Sequence, residues 1–294
     1  MQMKGIFVAS VTPFDAQNKI SESALHSLME RNLRQGADGF FIGGSSGECF
    51  LLSHEERLAV LRAAAAYRDR TTLIAHVGAI STAEAADFAR QAKAMGYAAV
   101  AATPPFYYGF TPREIAGYYH AIARAAGMPV LLYNFPHNTH KPLDLNDRDT
   151  VQMLRSGDIL GVKHTNYDVF ELERIKHLNP DLLVFDGFDE TMVAGLALGA
   201  DGAIGSTFNV MLPEYRRIYD TFLAGDFRKA RQMQIRANNV MEALCRAGLI
   251  PAVKYVLERQ GIPAGKARPP FTPVSETQRR EIDRAFAENC PGEY

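Results

Sequence analysis

"ILGVKHTNYD", residues 159–168, is the stretch that decides the fold. Ile159, Leu160 and Val162 form a short apolar run without alternation of polar and apolar residues, which is typical of a strand in a parallel sheet covered on both faces. Lys163 follows, where this strand should end in the protein interior. Because an unpaired buried ammonium is costly, this lysine needs either an acidic partner or a chemical role.

Seven further apolar runs of the same kind are bounded by Gly, Pro or Asp. Between them lie amphipathic segments such as 21–36 and 81–96, which open on serine and end on glycine, as helices with an N-cap and a C-cap do. The eight predicted strands are 5–14, 39–44, 72–79, 98–105, 129–136, 159–165, 182–187 and 202–207.

Eight βα units within about 210 residues predict an α/β protein with a (β/α)₈ TIM barrel. A doubly wound sheet is the structural alternative, but no GxGxxG follows the first strand, and the regular spacing of eight strands favours the barrel. Residues after about 210 show helical patterns alone. We therefore predict a catalytic barrel over residues 1–224 and a C-terminal helical extension over 225–294, packed on the barrel.

Composition excludes several classes of protein. The 294 residues are 47% hydrophobic and 22% charged with a net charge of −1, so there is no basic surface for nucleic acid or an acidic membrane. No apolar stretch reaches the ~18 residues of a membrane span, and the N-terminus lacks a signal-peptide pattern, so a cytoplasmic location is expected. Cys49, Cys245 and Cys290 are scattered, which favours neither disulfides nor a zinc site. No metal and no cofactor are expected.

In a TIM barrel the active site lies at the C-terminal ends of the strands. Lys163 is the one lysine at these predicted ends. In a partly desolvated pocket its neutral amine is favoured and can attack a carbonyl group, which predicts a Schiff-base lysine. The alternative is a structural ion pair with an acid such as Asp186 or Glu48.

Two other strand ends carry groups that could act with this lysine. "GGSSGE" (43–48) places hydroxyls and backbone N–H groups on a turn that could hold a carboxylate, although this motif alone is better explained as a plain βα turn capped by serine. Tyr133 ends the strand before that of Lys163, and neighbouring strands lie ~4.8 Å apart, so its phenol could approach the amine. A core tyrosine whose hydroxyl reaches water is the alternative.

Together, "VTPF", "GGSSGE", "AHVGAISTAE", "TPPFYYGF", "YNFP", "GVKHT" and "GADGAIGST" resemble the pyruvate-dependent class I aldolases of the N-acetylneuraminate lyase and dihydrodipicolinate synthase superfamily, over nearly the whole chain. The resemblance implies that Lys163 forms an imine with a 2-keto acid whose carboxylate Ser45 and Ser46 hold. It implies that Tyr133 shuttles protons, and that Ser46 and Tyr107 complete the relay, with Tyr107 reaching into a neighbouring subunit of a homotetramer. Most members carry threonine in place of Ser46.

The same resemblance separates the two branches. In "YNFPHNTH", Asn138 stands where the synthases have an arginine, and asparagine cannot form a charged bidentate clamp on a carboxylate. The lyases have a threonine two residues after the lysine and a Gly-x-Asp-Glu after the seventh strand. Here the residues implied to bind the sugar tail are Thr165, Gly187, Asp189, Glu190 and Ser206. An acidic N-cap of the next helix is the alternative for Asp189 and Glu190.

The resulting prediction is a carbon–carbon lyase that cleaves N-acetylneuraminate reversibly to N-acetylmannosamine and pyruvate. Its only predicted partners are the small-molecule 2-keto acid substrate and copies of the same chain, with no nucleic acid and no membrane. An aldolase or dehydratase of another 2-keto-3-deoxy sugar acid is the nearest alternative, followed by dihydrodipicolinate synthase. A catalytically silent protein that binds a keto acid is the alternative from another class, although such a module has no use for a buried nucleophile.

Overall fold

The computed structural model describes residues 3–293. Among these residues, eight strands close into a parallel barrel in sequence order. The strands are β1 (Gly5–Ala9), β2 (Gly39–Ile42), β3 (Thr72–His76), β4 (Ala99–Ala102), β5 (Val130–Asn134), β6 (Ile159–His164), β7 (Leu183–Asp186) and β8 (Gly202–Gly205). The predicted barrel is confirmed and the doubly wound alternative is wrong, because a closed sheet has no point at which the strand order reverses.

Each predicted strand is present, but all eight end earlier than predicted, by one residue at β6 and β7 and by up to five at β1. The apolar run continues past the last strand residue because the loop that follows is itself buried. After β2, for example, the chain leaves the sheet at Gly43, whose φ of 70° lies in the left-handed region that favours glycine. Hydrogen bonding between strands therefore stops before the apolar character does.

Helices occupy the segments between the strands, as predicted. Ser21 caps the first helix by accepting a hydrogen bond from the backbone N–H of Ala24. The helices are α1 (Glu22–Arg34), α2 (His54–Ala65), α3 (Thr82–Ala94), α4 (Pro112–Ala126), α5 (Pro136–Thr139), α6 (Arg148–Leu154), α7 (Val169–Leu178), α8 (Met192–Ala197), α9 (Phe208–Leu223), α10 (Phe227–Arg246), α11 (Leu249–Arg259) and α12 (Glu276–Asn289). None of the helices within residues 3–293 combines the length and apolarity needed to span a membrane.

The chain divides into two compact units, and the first consists mainly of residues 65–204. Within it, β5, β6 and β7 are paired so that Lys163 stands opposite Tyr133 on one side and Phe185 on the other. Successive side chains of a strand point to opposite faces, so these three side chains share one face of the sheet. The next residue in each of these three strands points to the opposite face of the sheet, which is directed toward α7 and α8.

The second unit consists of residues 6–64 and 205–293. It contains the parallel pair β1 and β2, and α10, which packs against α9 and α12. The apolar face of α12 is fully buried at Ile282 and Phe286. The described residues after 224 form α10, α11 and α12. The division of the chain at residue 224 into a barrel and an extension packed on it stays a prediction.

Candidate active site

Lys163 lies next to last in β6, and only 4% of its surface is exposed. Its Nζ donates a hydrogen bond of 3.0 Å to Oγ1 of Thr165. The same atom lies 3.9 Å from the centroid of the Tyr133 ring. The structure therefore places the predicted nucleophile against the predicted proton shuttle, with an oriented hydroxyl beside the amine.

The two acids considered as ion-pair partners of Lys163 are both engaged elsewhere. Glu48 pairs with Lys254, whose Nζ lies 2.6 Å from its Oε1, and both side chains are buried. Asp186 follows Phe185 in β7 and so lies on the opposite face of the sheet from Lys163. Its carboxylate oxygens accept hydrogen bonds of 3.1 Å from the Thr191 hydroxyl. A structural ion pair of Lys163 with either acid is therefore not formed.

Tyr133 is buried among aromatic rings and the lysine. The His76 ring meets it edge to face at 5.9 Å between centroids, and Phe135 stacks on it at the same distance. His76 is itself held in place, because its Nε2 accepts a hydrogen bond of 3.3 Å from the backbone N–H of Thr103. Only 4% of Tyr133 is exposed, and its ring orientation is determined from several sides.

Gly187 has a reason to be glycine that concerns Lys163 directly. A Cβ at this position would lie 1.9 Å from Oγ1 of Thr165, closer than any real side chain allows. That hydroxyl is the one that accepts the hydrogen bond from Lys163. The sequence suggests Thr165 and Gly187 as sugar-binding residues. In the structure, Thr165 supplies the hydroxyl that accepts the hydrogen bond from the Lys163 amine, and Gly187 leaves room for that hydroxyl.

Asp189 and Glu190 begin a short 3₁₀ turn, Asp189–Thr191, that precedes α8. The N-cap of α8 is Thr191, so neither acid is its capping residue, although both stand in the turn that leads into this helix. Asp189 is buried, with 2% of its surface exposed. Oε1 of Glu190 accepts a hydrogen bond of 2.7 Å from the Tyr167 hydroxyl.

Tyr167 was not found by sequence reasoning. Its ring stacks on Phe188 at 4.4 Å, Phe188 meets Phe135 edge to face at 5.9 Å, and Phe135 stacks on Tyr133. This aromatic series leads from the catalytic face of β5 to the Glu190 carboxylate. Tyr167 follows β6 by three residues in a polar stretch, and no local pattern distinguishes it from a surface tyrosine.

The turn that contains Ser45 and Ser46 lies in the second unit. Ser45–Gly47 form one 3₁₀ turn, and Glu48 then adopts the left-handed conformation with a φ of 60°. Glu48 is held by Lys254 and by the backbone N–H of Arg268, which donates a 2.7 Å hydrogen bond to its Oε2. The Thr12 hydroxyl donates a 2.7 Å hydrogen bond to the carbonyl of Gly47. The turn is thus anchored at its C-terminal end, while Ser45 and Ser46 are half-buried.

The remaining two predicted residues stand at other loops. Ser206 follows β8, and its backbone carbonyl accepts a hydrogen bond of 2.7 Å from Nδ2 of Asn209. Tyr107 is 84% exposed within the chain and has a φ of 78°, a strained value for a non-glycine residue. Its ring meets Tyr108 edge to face. The roles of all the predicted site residues, those of Lys163 and Tyr133 included, stay predictions.

Asp186 has a carboxyl group with a perturbed pKa. Burial raises its pKa from 3.8 to about 7, against the hydrogen bonds from the Phe188 backbone N–H and the Thr191 hydroxyl and against the attraction of His164. The nearby charge of Asp189 raises it further. Gly195 of α8 makes room for this carboxyl group, because a Cβ there would lie 2.2 Å from Oδ2.

On the face of β5 and β6 opposite Tyr133 and Lys163 lies a polar cluster that sequence reasoning also missed. Oε1 of Glu171, on α7, accepts hydrogen bonds from Nδ2 of Asn134 at 2.6 Å and Nε2 of His164 at 2.9 Å. Asn134 and His164 follow Tyr133 and Lys163 in the chain. Strand alternation predicts that both side chains point toward the helices outside the sheet. It does not predict that α7 covers them or that Glu171 is their partner.

The chain is similar to proteins of known kind over almost its whole length. Residues 2–289 match the model of the dihydrodipicolinate synthetase family. An N-acetylneuraminate lyase of Rhizobium meliloti is 40% identical over 288 residues, which cover 98% of this chain and 95% of the relative. One from Salmonella typhimurium is 39% identical over 277 residues, 93% of each chain.

Solved structures agree with this grouping. CdNal from Clostridium difficile in complex with mannosamine superposes with a TM-score of 0.94 at 32% identity, covering 98% of this chain and all (100%) of that one. The wild-type sialic acid aldolase of Ruminococcus gnavus gives a TM-score of 0.93 at 29% identity, covering 98% and 97%. With its barrel, its lysine at the end of β6 and these similarities, the chain belongs to the dihydrodipicolinate synthetase family.

Proposed function

We propose that this protein is an N-acetylneuraminate lyase, which cleaves N-acetylneuraminate reversibly to N-acetylmannosamine and pyruvate. Relatives named N-acetylneuraminate lyase share 39–40% of their residues with it over more than nine tenths of its length. The family and these relatives make the chain a carbon–carbon lyase. The observation that carries the proposal is the buried Lys163 amine, 3.9 Å from the ring centroid of Tyr133.

The proposed chemistry begins with the neutral Lys163 amine, which attacks the C2 ketone of the open-chain substrate. Loss of water from the addition product gives an imine. Removal of the proton from the C4 hydroxyl then breaks the C3–C4 bond, the aldehyde leaves as N-acetylmannosamine, and the bonding electrons form an enamine. Protonation of that enamine at C3 and hydrolysis of the imine release pyruvate and restore the lysine.

The other roles follow from the resemblance and form part of the proposal. Tyr133 moves the protons, Ser46 and Tyr107 complete its relay, and Ser45 and Ser46 hold the keto acid carboxylate. The exposure of Tyr107, 84% in the single chain, supports a role in a neighbouring subunit and hence a homotetramer. A cytoplasmic location is likewise proposed, from the sequence alone.

The sugar tail would be bound by the residues after β6, β7 and β8. Carboxylates accept hydrogen bonds from sugar hydroxyls, which suits Asp189 and Glu190. The contact between Glu190 and Tyr167 supports this role, because the tyrosine hydroxyl orients the carboxylate before substrate arrives. Thr165, Gly187 and Ser206 complete the proposed set.

The test is pyruvate release from N-acetylneuraminate, measured beside a panel of other 2-keto-3-deoxy sugar acids, in wild type, Lys163→Ala and Lys229→Ala. Lys229 is an exposed lysine on α10 and serves as the matched control. Release that is fastest from N-acetylneuraminate, lost in Lys163→Ala and kept in Lys229→Ala, is expected. Fastest release from another acid would overturn the substrate but keep the lysine chemistry.

Borohydride reduction in the presence of pyruvate separates the enzyme from a silent keto-acid-binding protein. The reagent reduces an imine to a stable secondary amine, so wild type should gain the mass of the reduced pyruvate adduct at Lys163. An intact, folded wild-type protein without any adduct would overturn the mechanism.

A further inference from the structure

We propose that Glu171 is a positioning residue that holds the ends of β5 and β6 together, so that Tyr133 and Lys163 keep the geometry needed for imine chemistry. This proposal rests on the proposed function of Lys163. Glu171 itself lies on α7, and its partners Asn134 and His164 are on the opposite face of the sheet from the two predicted catalytic side chains.

The geometry centres on one carboxylate oxygen. Oε1 of Glu171 accepts a hydrogen bond of 2.6 Å from Nδ2 of Asn134 and one of 2.9 Å from Nε2 of His164. A third, longer contact of 3.4 Å comes from Nδ2 of Asn166. The first two donors stand opposite each other in the register of β5 and β6. A single atom therefore connects the ends of two adjacent strands.

These donors are the immediate neighbours of the catalytic residues. Asn134 follows Tyr133 in the chain, and His164 follows Lys163. A hydrogen bond that holds Asn134 or His164 on one face of the sheet therefore also fixes the backbone that positions Tyr133 or Lys163 on the other face. Both donors are buried, at 2% and 0% exposed. Without the Glu171 carboxylate, both N–H donors would lack an acceptor, because their burial keeps water away. The ends of β5 and β6 would then have to move to give these donors a hydrogen-bond partner.

The His164 ring shows how strongly the arrangement depends on Glu171. Its Nε2 bonds to the carboxylate, whereas its Nδ1 is buried and has no hydrogen-bond partner within residues 3–293. The bond to Glu171 is thus the interaction that orients this ring. Hydrogen bonds to an ionised carboxylate are roughly twice as strong as those between neutral groups.

The consequence for catalysis is a matter of distance. Misplacing reacting groups by about 1 Å can reduce a rate on the order of 100-fold. Glu171→Leu removes the acceptor with little change in volume. We therefore expect kcat and the rate of imine formation with pyruvate to fall about 100-fold, while KM for N-acetylneuraminate changes less than about threefold.

The conservative variant is Glu171→Gln, which keeps one acceptor oxygen and loses the charge. It should recover most of the loss, to within about tenfold of wild type. The matched control is Glu173→Leu with Glu173→Gln, on the same helix, where Glu173 pairs with Arg174. Both control variants should stay within about twofold of wild type, since their side chains face away from the strand ends.

The experiment measures kcat, KM and the rate of borohydride-trapped adduct formation per folded active site, with circular dichroism to count folded protein. Folded Glu171→Leu with wild-type rates would overturn the proposal, as would a change confined to KM. If Glu171→Leu does not fold, Glu171→Gln decides: a fall of about 5- to 10-fold in the trapping rate with an unchanged KM is expected, and wild-type kinetics would overturn it. If wild type itself forms no adduct, the proposed function has failed instead.

Discussion

Asp186 offers a quantitative test of how burial changes a titrating group in this barrel. Its carboxyl group is 2% exposed and has a pKa of about 7, compared with 3.8 for an ordinary aspartate, mainly because burial disfavours the charged form. We predict that Asp186→Asn stabilises the protein at neutral and alkaline pH. The asparagine oxygen can accept the hydrogen bond from the Phe188 N–H, and its NH₂ group can donate to the Thr191 hydroxyl.

The sign of the effect follows from proton binding. Between pH 4 and pH 7 the folded protein keeps a proton on Asp186 that the unfolded chain has lost, so the free energy of unfolding falls as pH rises through this window. A pKa raised by about three units corresponds to about 4 kcal/mol above pH 7, at about 1.4 kcal/mol per unit. Asparagine does not titrate, so its advantage over wild type should grow by about 3 kcal/mol between pH 5 and pH 8.

The assay is urea unfolding followed by circular dichroism at several pH values from 5 to 8, at one fixed protein concentration. Asp201→Asn is the control for the opposite sign. Burial alone would raise the pKa of Asp201, but hydrogen bonds and ion pairs from Lys176, the Val184 backbone and Lys4 outweigh it and lower that pKa. Asp201→Asn should therefore cost stability by an amount that stays constant from pH 5 to pH 8, because both the ordinary pKa of 3.8 and the lowered pKa of the folded state lie below this range. A difference between Asp186→Asn and wild type that stays constant with pH would refute the reasoning.

Three further predictions concern the rest of the molecule. The Lys254 ammonium lies 2.6 Å from the buried Glu48 carboxylate, and Lys254→Met leaves that carboxylate without its cation. The free energy of unfolding in urea should fall by roughly 3–5 kcal/mol, and a loss below about 1 kcal/mol would contradict the pairing. Gly161→Ala would place a Cβ 2.0 Å from a backbone carbonyl oxygen of β7, so its melting temperature should fall well below that of Gly117→Ala, where nothing lies within 4 Å. Tyr167→Phe removes the hydroxyl that donates to Glu190. KM for N-acetylneuraminate should rise about 5- to 10-fold, while the rate of adduct formation with pyruvate stays unchanged. An equal effect on both quantities would argue against a role of Tyr167 in binding the sugar tail.

The barrel could be predicted from the sequence because it depends on local patterns, and local patterns also point to a candidate nucleophile. An apolar run such as Ile159–Val162 is a strand in almost any buried context, and its repetition at regular intervals specifies a closed sheet with helices outside it. Lys163 is the predicted nucleophile because a lysine at the end of such a run is anomalous. The ends of the strands were less accurate, since burial extends beyond β1 and β3 into the loops.

The contacts within the site depend on which residues the register brings together, and no local pattern carries that information. Pairing of β5 with β6 places Tyr133 against Lys163 and, on the reverse face, Asn134 beside His164. The role of Gly187 in admitting the Thr165 hydroxyl is equally invisible until both loops are in place.

By itself, the sequence determined the fold class and the family and predicted which lysine reacts, because periodicity and residue type are properties of short stretches of chain. Only the tertiary structure decided that Glu48 pairs with Lys254, that Tyr167 reaches Glu190 and that Glu171 connects the ends of β5 and β6. Glu48 and Lys254, Tyr167 and Glu190, and Asn134 and Glu171 are each distant in the chain, and packing alone brings their polar atoms within hydrogen-bonding range.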